Sequence, residues 1–278
     1  MKTTTRPSKL PFMKMHGLGN DFVVLDLRNI NFVITEGFIK ALSDRHKGVG
    51  FDQLAVINEH KTSDLLLNFY NANGSKVSTC GNATRCVARY EMSRLNKQSL
   101  NITTERGLLQ ADILNENETR VNMGHPLINW AEIPLARELD TLELPIDGKP
   151  TATSMGNPHC TFFVKNAEEV ELDSFGPLFE NNPLFPEGTN VQVVSLLAEN
   201  HLRMRVWERG VGHTLASGSS ACASAVAAAR KNLTGKRVKV DLDGGQLQID
   251  WQASGVWMSG PTRHVFSGDL SQEFLDCI

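Results

Sequence analysis

The 278-residue sequence predicts an α+β fold of two duplicated domains, each a mostly antiparallel sheet wrapped round a central helix. Three observations support this prediction. Segments 79–86 and 216–222 read as copies of one loop that enters a helix, and they lie 137 positions apart. The predicted strands and helices follow the same order in both halves of the chain. Helix 218–231 consists almost entirely of small residues, as expected for a helix enclosed by a sheet.

The elements of the first half follow from the periodicity of its apolar residues. An amphipathic run predicts a helix over 35–46, and short apolar or alternating runs predict strands. A second helix over 81–95 carries Ala83, Val87 and Tyr90 on one stripe. The predicted strands are 12–16, 22–27, 54–57, 65–70, 100–104, 108–114 and 119–123.

The second half repeats this order and defines the domain boundary. Its predicted strands are 151–155, 161–164, 191–194, 202–207, 238–242, 247–251 and 256–258, with helices over 174–180 and 218–231. We therefore assign 1–127 to an N-terminal domain and 128–262 to a C-terminal domain. We expect the tail, 263–278, to return to the first domain.

Composition excludes several classes of function. The net charge is -3 and basic residues are not clustered, so a small molecule is a better expected partner than nucleic acid. No stretch approaches the ~18 apolar residues of a membrane span, and we expect a soluble cytoplasmic protein. The five cysteines lack a framework spacing, which indicates reduced thiols. The chain also lacks paired ligand spacings for zinc, so no metal is predicted.

The two repeated loops place a nucleophile-type side chain immediately before a glycine and a helix. The residue is Cys80 in the first copy and Ser217 in the second. Free N–H groups at a helix N-terminus bind anions and favour a thiolate. Two such helix ends facing a shared cleft could hold the carboxylate of an amino acid and stabilise the charge that develops when its α-proton leaves. A thiolate on one face and a thiol on the other would then invert the α-carbon without a cofactor.

Each candidate residue also has a structural interpretation. Gly81 and Gly218 could simply permit tight turns from strand to helix. Glu208 and Arg209 could form a surface ion pair, and His159 could be a core histidine rather than a group that tunes a thiol. The remaining polar candidates stand at strand ends or beside glycines, where turn chemistry is an alternative to ligand binding: Asn20, Gln53, Asn71, Asn157 and Asn190.

Seven segments, in order, give the chain a resemblance to the diaminopimelate epimerase family. They are KMHGLGNDF (14–22), GFDQ (50–53), NANGS (71–75), CGN (80–82), MGNPHC (155–160), GTN (188–190) and ERG (208–210). The resemblance covers nearly the whole chain, and it implies two domains related by a pseudo-twofold axis. It implies a cofactor-independent, two-base isomerase that interconverts LL- and meso-2,6-diaminopimelate in lysine and peptidoglycan precursor synthesis.

The resemblance also implies roles for individual residues. Cys80 matches the first catalytic thiol, and Glu208 would hold the α-amino group of the substrate. His159 and Glu208 would adjust the pKa values of the thiols, and Phe266 occupies an aromatic contact position of a homodimer. The reacting carboxylate would be bound by Gly81, Asn82, Gly218 and Ser219. The rest of the substrate would be bound by Asn20, Gln53, Asn71, Asn157, Asn190 and Arg209.

Ser217 is where this chain departs from the family pattern, which has its second catalytic cysteine there. A serine hydroxyl is too weak an acid to serve as an anionic base near neutral pH without a dedicated partner. We therefore expect the chain to bind diaminopimelate and to invert it slowly. The sequence leaves two alternatives open. One is a one-thiol isomerase or dehydratase acting on a hydroxylated amino acid, and the other is a pseudoenzyme that only binds its ligand.

Overall fold

The computed structural model describes residues 8–115 and 118–278, which form two compact units. The first unit contains the described residues up to Thr119 together with Thr262–Ile278, and the second contains Arg120–Pro261. Within the described ranges, no helix is long and apolar enough to cross a membrane.

The elements of the two units follow in chain order. The first unit and the junction contain β1 (Lys9–Gly17), β2 (Asn20–Asp26), α1 (Glu36–Ser43), β3 (Gln53–Asn58), β4 (Leu65–Asn71), β5 (Lys76–Val77), α2 (Gly81–Leu95), β6 (Ser99–Thr104), β7 (Gly107–Ile113) and β8 (Glu118–Asn122). The second unit continues with β9 (Thr151–Ser154), β10 (Pro158–Phe163), a 3₁₀ turn (Ala167–Glu169), α3 (Leu172–Glu180), β11 (Asn190–Ala198), β12 (His201–Glu208), β13 (Gly212–Thr214), α4 (Gly218–Arg230), β14 (Arg237–Leu242), β15 (Gly245–Gln252) and β16 (Gly255–Pro261). The chain then returns to the first unit with β17 (Arg263–Ser271) and α5 (Gln272–Asp276).

The strands of the two units pair in the same pattern. In the first unit β2 runs parallel to β3, β3 antiparallel to β4, β4 parallel to β6, and β6 antiparallel to β7. The second unit repeats these relations in order: β10 runs parallel to β11, β11 antiparallel to β12, β12 parallel to β14, and β14 antiparallel to β15. Even the register is repeated, because Phe22 opposite Gln53 corresponds to His159 opposite Asn190. The predicted fold class, α+β with a duplicated sheet-and-helix unit, is therefore confirmed.

Each unit encloses one helix that begins at a repeated loop. Helix α2 packs against β1, β2, β6 and β7, and α4 packs against β9, β10, β11, β12, β14, β15 and β16. The small side chains of α4 explain this close enclosure, since nearly all of them are buried. Asn96 ends α2 in the left-handed conformation, with its N–H bonded to the carbonyl of Met92.

A second apolar layer lies outside the sheet in each unit. In the first unit Phe38, Ile39 and Leu42 of α1 pack with strand residues such as Leu54. In the second unit the rings of Phe162, Phe175 and Phe179 contact one another with centroids 4.5 to 4.9 Å apart. These layers hold the strands that carry the polar site residues.

The structure adds elements that the periodicity did not predict. Strands β5 and β13 are only two and three residues long, and β17 is almost entirely exposed. Strand β17 exists because it pairs antiparallel with β1, so the tail 263–278 lies in the first unit. The strand predicted at 161–164 begins earlier, at Pro158, because Pro158 pairs with Ser154 of β9.

Candidate active site

Cys80 is the N-cap residue of α2 and is 8% exposed. Its extended backbone turns Sγ back over the first helical turn, where it accepts a hydrogen bond from the N–H of Ala83 at 3.4 Å. The hydroxyl of Thr84 donates to the carbonyl of Cys80 at 2.8 Å and ties the loop to the helix. The thiol therefore lies in the positive field of the helix N-terminus, which favours its anionic form.

Two amide side chains meet beside this loop. Asn82 is the second residue of α2 and is 2% exposed, and its Nδ2 donates to Oδ1 of Asn20 at 3.2 Å. Asn20 begins β2. The polar groups of Asn20 and Asn82 are thus brought together with the first turn of α2, whose first residue is Gly81.

Gln53 and Asn71 form a second amide pair in the first unit. They lie opposite each other on β3 and β4, and Nε2 of Gln53 donates to Oδ1 of Asn71 at 3.0 Å. Nδ2 of Asn71 donates to the hydroxyl of Ser75 at 3.1 Å. Both side chains are half-buried, so they retain surface for a ligand.

Ser217 is the N-cap residue of α4 and is 4% exposed. Unlike Cys80, it makes no side-chain capping bond to its helix. Its hydroxyl instead donates to Oε2 of Glu208 at 2.8 Å, while the hydroxyl of Thr214 donates to Oε1 at 2.6 Å. The carboxylate of Glu208 is thus held by two hydroxyl groups, and the proton of Ser217 points at it.

His159 is fully buried on β10 within a polar network. Its Nε2 donates to Oδ1 of Asn157 at 2.9 Å, and its Nδ1 accepts from Nε2 of Gln192 at 3.0 Å, which requires that nitrogen to be unprotonated. Gln192 also donates to the hydroxyl of Ser220 at 3.1 Å, in the first turn of α4, and accepts from Thr161. The imidazole is therefore connected to the helix that Ser217 caps.

Asn190 connects β10 to the end of β12. Its Nδ2 donates to the carbonyl of Pro158 at 2.9 Å, and its Oδ1 accepts from the backbone N–H of Arg209 at 3.1 Å. Nη1 of Arg209 donates to the carbonyl of Glu187 at 2.9 Å. These two hydrogen bonds hold Arg209, which is exposed and directly follows Glu208 at the end of β12.

The remaining predicted residues fall at two further places. Gly218 is buried and Ser219 is half-buried in the first turn of α4, where helix N–H groups are available to an anion. Phe266 on β17 is 47% exposed and makes an edge-to-face contact with Phe12. The predicted residues therefore form five local groups and one separate aromatic position.

The candidate residues chosen from the sequence did not include four residues that contact them in the structure. Thr214 lies on the short strand β13, and Gln192 is a polar residue within the buried strand β11. Asp52 contacts Asn20, and Arg85 contacts Asn82. Arg85 is fully buried despite its charge. A glutamine within a valine-rich strand and an arginine within a buried helical run are the sequence signals that could have identified two of them.

Two solved structures have a fold similar to that of this chain. A probable proline racemase from Agrobacterium radiobacter is similar with a TM-score of 0.70 at 13% identity, over 94% of this chain and 93% of the other. A phenazine biosynthesis protein of the PhzF family from Bacillus anthracis has a TM-score of 0.68 at 14% identity, over 95% and 99%. The chain therefore shares its fold with these proteins.

Sequence similarity identifies the family within that fold class. The family model for diaminopimelate epimerase matches residues 12–128 and 151–265. The diaminopimelate epimerase of Rhodospirillum centenum is 44% identical over 271 residues, which cover 95% of this chain and 93% of that protein. This chain belongs to the diaminopimelate epimerase family.

Proposed function

We propose that this chain is an isomerase that interconverts LL- and meso-2,6-diaminopimelate without a cofactor, at a rate limited by Ser217. The observation that carries the proposal is the buried thiol of Cys80, held at a helix N-cap with its sulfur accepting a backbone N–H. Membership of the diaminopimelate epimerase family supports the choice of substrate.

In the proposed reaction, Cys80 removes the α-proton from one face of the substrate. The Cα–H bond breaks, an S–H bond forms, and the electron pair enters the adjacent carboxylate. The N–H groups in the first turns of α2 and α4 would stabilise this charge, because helix N-termini present unpaired donors. The backbone of Gly81, Asn82, Gly218 and Ser219 would supply those donors.

Inversion then requires a proton from the opposite face, which we assign to residue 217. The hydroxyl of Ser217 is hydrogen-bonded to Glu208, and a hydroxyl is a poor anionic base in the reverse direction. We therefore propose that the chain forms the carbanion from one isomer and inverts it slowly.

Polar side chains around the two loops would bind the rest of the substrate. Glu208 would accept hydrogen bonds from the α-ammonium group, with its rotamer held by Thr214. His159 would act on residue 217 through the first turn of α4 and thereby adjust the acidity of a cysteine placed there. The substrate would also contact Asn20, Gln53, Asn71, Asn157, Asn190 and Arg209.

We further propose a cytoplasmic homodimer that supplies lysine and peptidoglycan precursors. The exposed ring of Phe266 on β17 supports the dimer contact, since its neighbour Val265 is also exposed. A reaction that depends on the reduced thiol of Cys80 is favoured in a reducing compartment.

The test is α-proton exchange in deuterated water, followed by proton NMR and chiral chromatography for each isomer separately. We expect deuterium to enter one isomer much faster than inversion occurs, and Cys80→Ala to abolish that exchange. Absence of both exchange and binding with LL- and meso-diaminopimelate would refute the proposed substrate. Inversion as fast as exchange would instead refute the assigned limit at Ser217.

A further inference from the structure

A chain of side-chain hydrogen bonds runs from the surface of the first unit to the first turn of α2. Oδ2 of Asp52 accepts from Nδ2 of Asn20 at 3.0 Å, and Oδ1 of Asn20 accepts from Nδ2 of Asn82 at 3.2 Å. Oδ1 of Asn82 accepts from Nη1 of Arg85 at 3.1 Å. Two amides therefore lie in series between a carboxylate and a guanidinium.

The two ends of this chain determine which way each amide faces. An ionised carboxylate only accepts hydrogen bonds, and a guanidinium only donates them, whereas an amide can do either. Turning Asn20 over would place its oxygen against Asp52, and turning Asn82 over would place its NH₂ group against Arg85. Either rotation replaces favourable contacts with repulsive ones, so both amides have one preferred orientation.

Both ends are themselves held in place. Asp52 also accepts from the N–H of Asp21 at 3.2 Å and from Arg45 at 2.9 Å. Asp21 lies next to Asp52 in this network. Burial opposes ionisation of Asp21, but the hydrogen bonds from Arg45 and Lys14 outweigh the effect of burial and lower the pKa of Asp21. Asp21 therefore stays charged.

At the inner end, Arg85 is fully buried one helical turn after Asn82. Gly17 has no side chain at this point, and a Cβ there would lie 2.9 Å from Nη2 of Arg85 and 3.3 Å from Cβ of Asn82. The glycine leaves room for the guanidinium, so the inner end has a defined place in the packing.

We propose that Asp52 and Arg85 are positioning residues that set the orientation of the Asn20 and Asn82 side chains for substrate binding. This inference rests on the proposed function, in which those two asparagines contact diaminopimelate. Donors and acceptors arranged in advance reduce the reorganisation that accompanies ligand binding and charge development. The charged ends thus act through the amides and do not touch the substrate.

The test compares Asp52→Asn with Glu105→Gln. Both acids are about half exposed in ion pairs, with side-chain exposures of 46% and 51%, but only Asp52 contacts an asparagine of the site. The amide that replaces the Asp52 carboxylate could donate as well as accept and would no longer impose a direction. We expect the half-saturating diaminopimelate concentration for α-proton exchange to rise about three- to tenfold in Asp52→Asn, with a smaller change in maximal rate. Glu105→Gln should change neither.

Arg85 provides a second comparison that separates positioning from bulk packing. Arg85→Lys keeps a donor-only group and should retain most of the affinity, whereas Arg85→Gln can accept and should weaken it. The side-chain amide resonances of Asn20 and Asn82 in ¹H–¹⁵N spectra give a readout that does not depend on turnover. These resonances should shift or double in Asp52→Asn and remain unchanged in Glu105→Gln.

The outcomes distinguish this inference from the proposed function. Unchanged exchange kinetics and unchanged amide resonances in folded Asp52→Asn would overturn the positioning role even if the chain acts on diaminopimelate. If the unmodified chain does not act on diaminopimelate, the proposed function fails. In that case the amide spectra alone test whether Asp52 and Arg85 orient the asparagines. A shift that occurs in Asp52→Asn and not in Glu105→Gln would support the positioning role.

Discussion

Replacing Ser217 by cysteine is expected to raise the rate of diaminopimelate inversion by about 10²- to 10⁴-fold, the usual contribution of a positioned acid or base. The backbone already suits a thiol. Ser217 has φ -129° and ψ 114°, and Cys80 has φ -145° and ψ 101°, so both N-caps present their side chains in the same extended conformation. A sulfur at position 217 should therefore approach the first-turn N–H groups of α4 as Sγ of Cys80 approaches Ala83.

The magnitude follows from the acidity of the two groups. A thiol with a pKa of about 8.5 is roughly one quarter ionised at pH 8, whereas a hydroxyl with an acidity near that of water, about 15.7, is ionised to about one part in 10⁸. An alkoxide is a stronger base than a thiolate, which partly compensates for its much smaller ionised fraction. The expected difference in rate is therefore smaller than the ratio of the two ionised fractions. The expected gain corresponds to about 3 to 5 kcal/mol of barrier. Loss of the hydrogen bond from Ser217 to Glu208 should cost about 1.5 to 3 kcal/mol of stability.

The assay is stereochemical inversion followed by chiral chromatography, with α-proton exchange measured in parallel. Ser217→Ala is the matched control, since it removes the hydroxyl without adding a thiol and should not accelerate inversion. Cys80→Ala combined with Ser217→Cys should lose the gain, because only one thiol remains. An inversion rate for folded Ser217→Cys within twofold of the unmodified chain would refute the reasoning about residue 217.

Three further predictions concern packing, acid stability and thiol reactivity. Gly176→Ala should destabilise the second unit by about 1 to 3 kcal/mol in urea unfolding, because a Cβ there would lie 2.3 Å from the Trp207 ring. Acid should destabilise the first unit below about pH 4.5, because burial opposes ionisation of Glu91 but two arginines outweigh it and lower the pKa of that carboxyl below 4.5. Iodoacetamide at pH 8 should label Cys80 but not Cys86, whose pKa burial raises to about 11.

Each of these predictions has a control and a contradicting result. Ser174→Ala, on the exposed side of α3, should leave the unfolding midpoint unchanged, and equal stability of Gly176→Ala would contradict the packing argument. Glu91→Gln should flatten the acid limb, which is the part of the curve of stability against pH below about pH 4.5. The pKa of Glu91 is lower in the folded protein than in the unfolded chain. Its contribution to stability is therefore present above the unfolded pKa and is lost as pH falls through the folded pKa. An unaltered limb would contradict the role of Glu91. Labelling is done in Cys277→Ser, and mass spectrometry that finds Cys86 modified in native protein would contradict its burial.

The central helices and their caps could be predicted because the relevant signals are local. The change from alternating to helical periodicity marks α2 and α4 at Gly81 and Gly218, where the structure also begins them. The offset of 137 positions also contained information about strand pairing. It relates Gln53 to Asn190, and these residues occupy equivalent positions in the parallel pairs β2–β3 and β10–β11. A duplication therefore supplied long-range information that a single copy lacks.

Elements defined by distant partners could not be predicted in this way. Strand β17 has little apolar alternation, and its structure depends on pairing with β1, as in the register of Lys9 with Ser271. The hydroxyl of Thr214 reaches Glu208 only because a three-residue strand folds back on β12. Gln192 contacts His159 across two parallel strands more than thirty residues apart in sequence. Such contacts depend on register, which composition and spacing do not report.

The side chains at the two N-caps differ in one atom, which is sulfur in Cys80 and oxygen in Ser217. Sγ of Cys80 accepts a hydrogen bond from its helix, an arrangement that favours negative charge on sulfur. Oγ of Ser217 donates its hydrogen bond to the carboxylate of Glu208, an arrangement that favours retention of the proton. The backbone conformation that positions either group is the same. Under the proposed function, we therefore expect the N-terminus of each helix to bind a carboxylate and Cys80 to be the residue that serves as an anionic base.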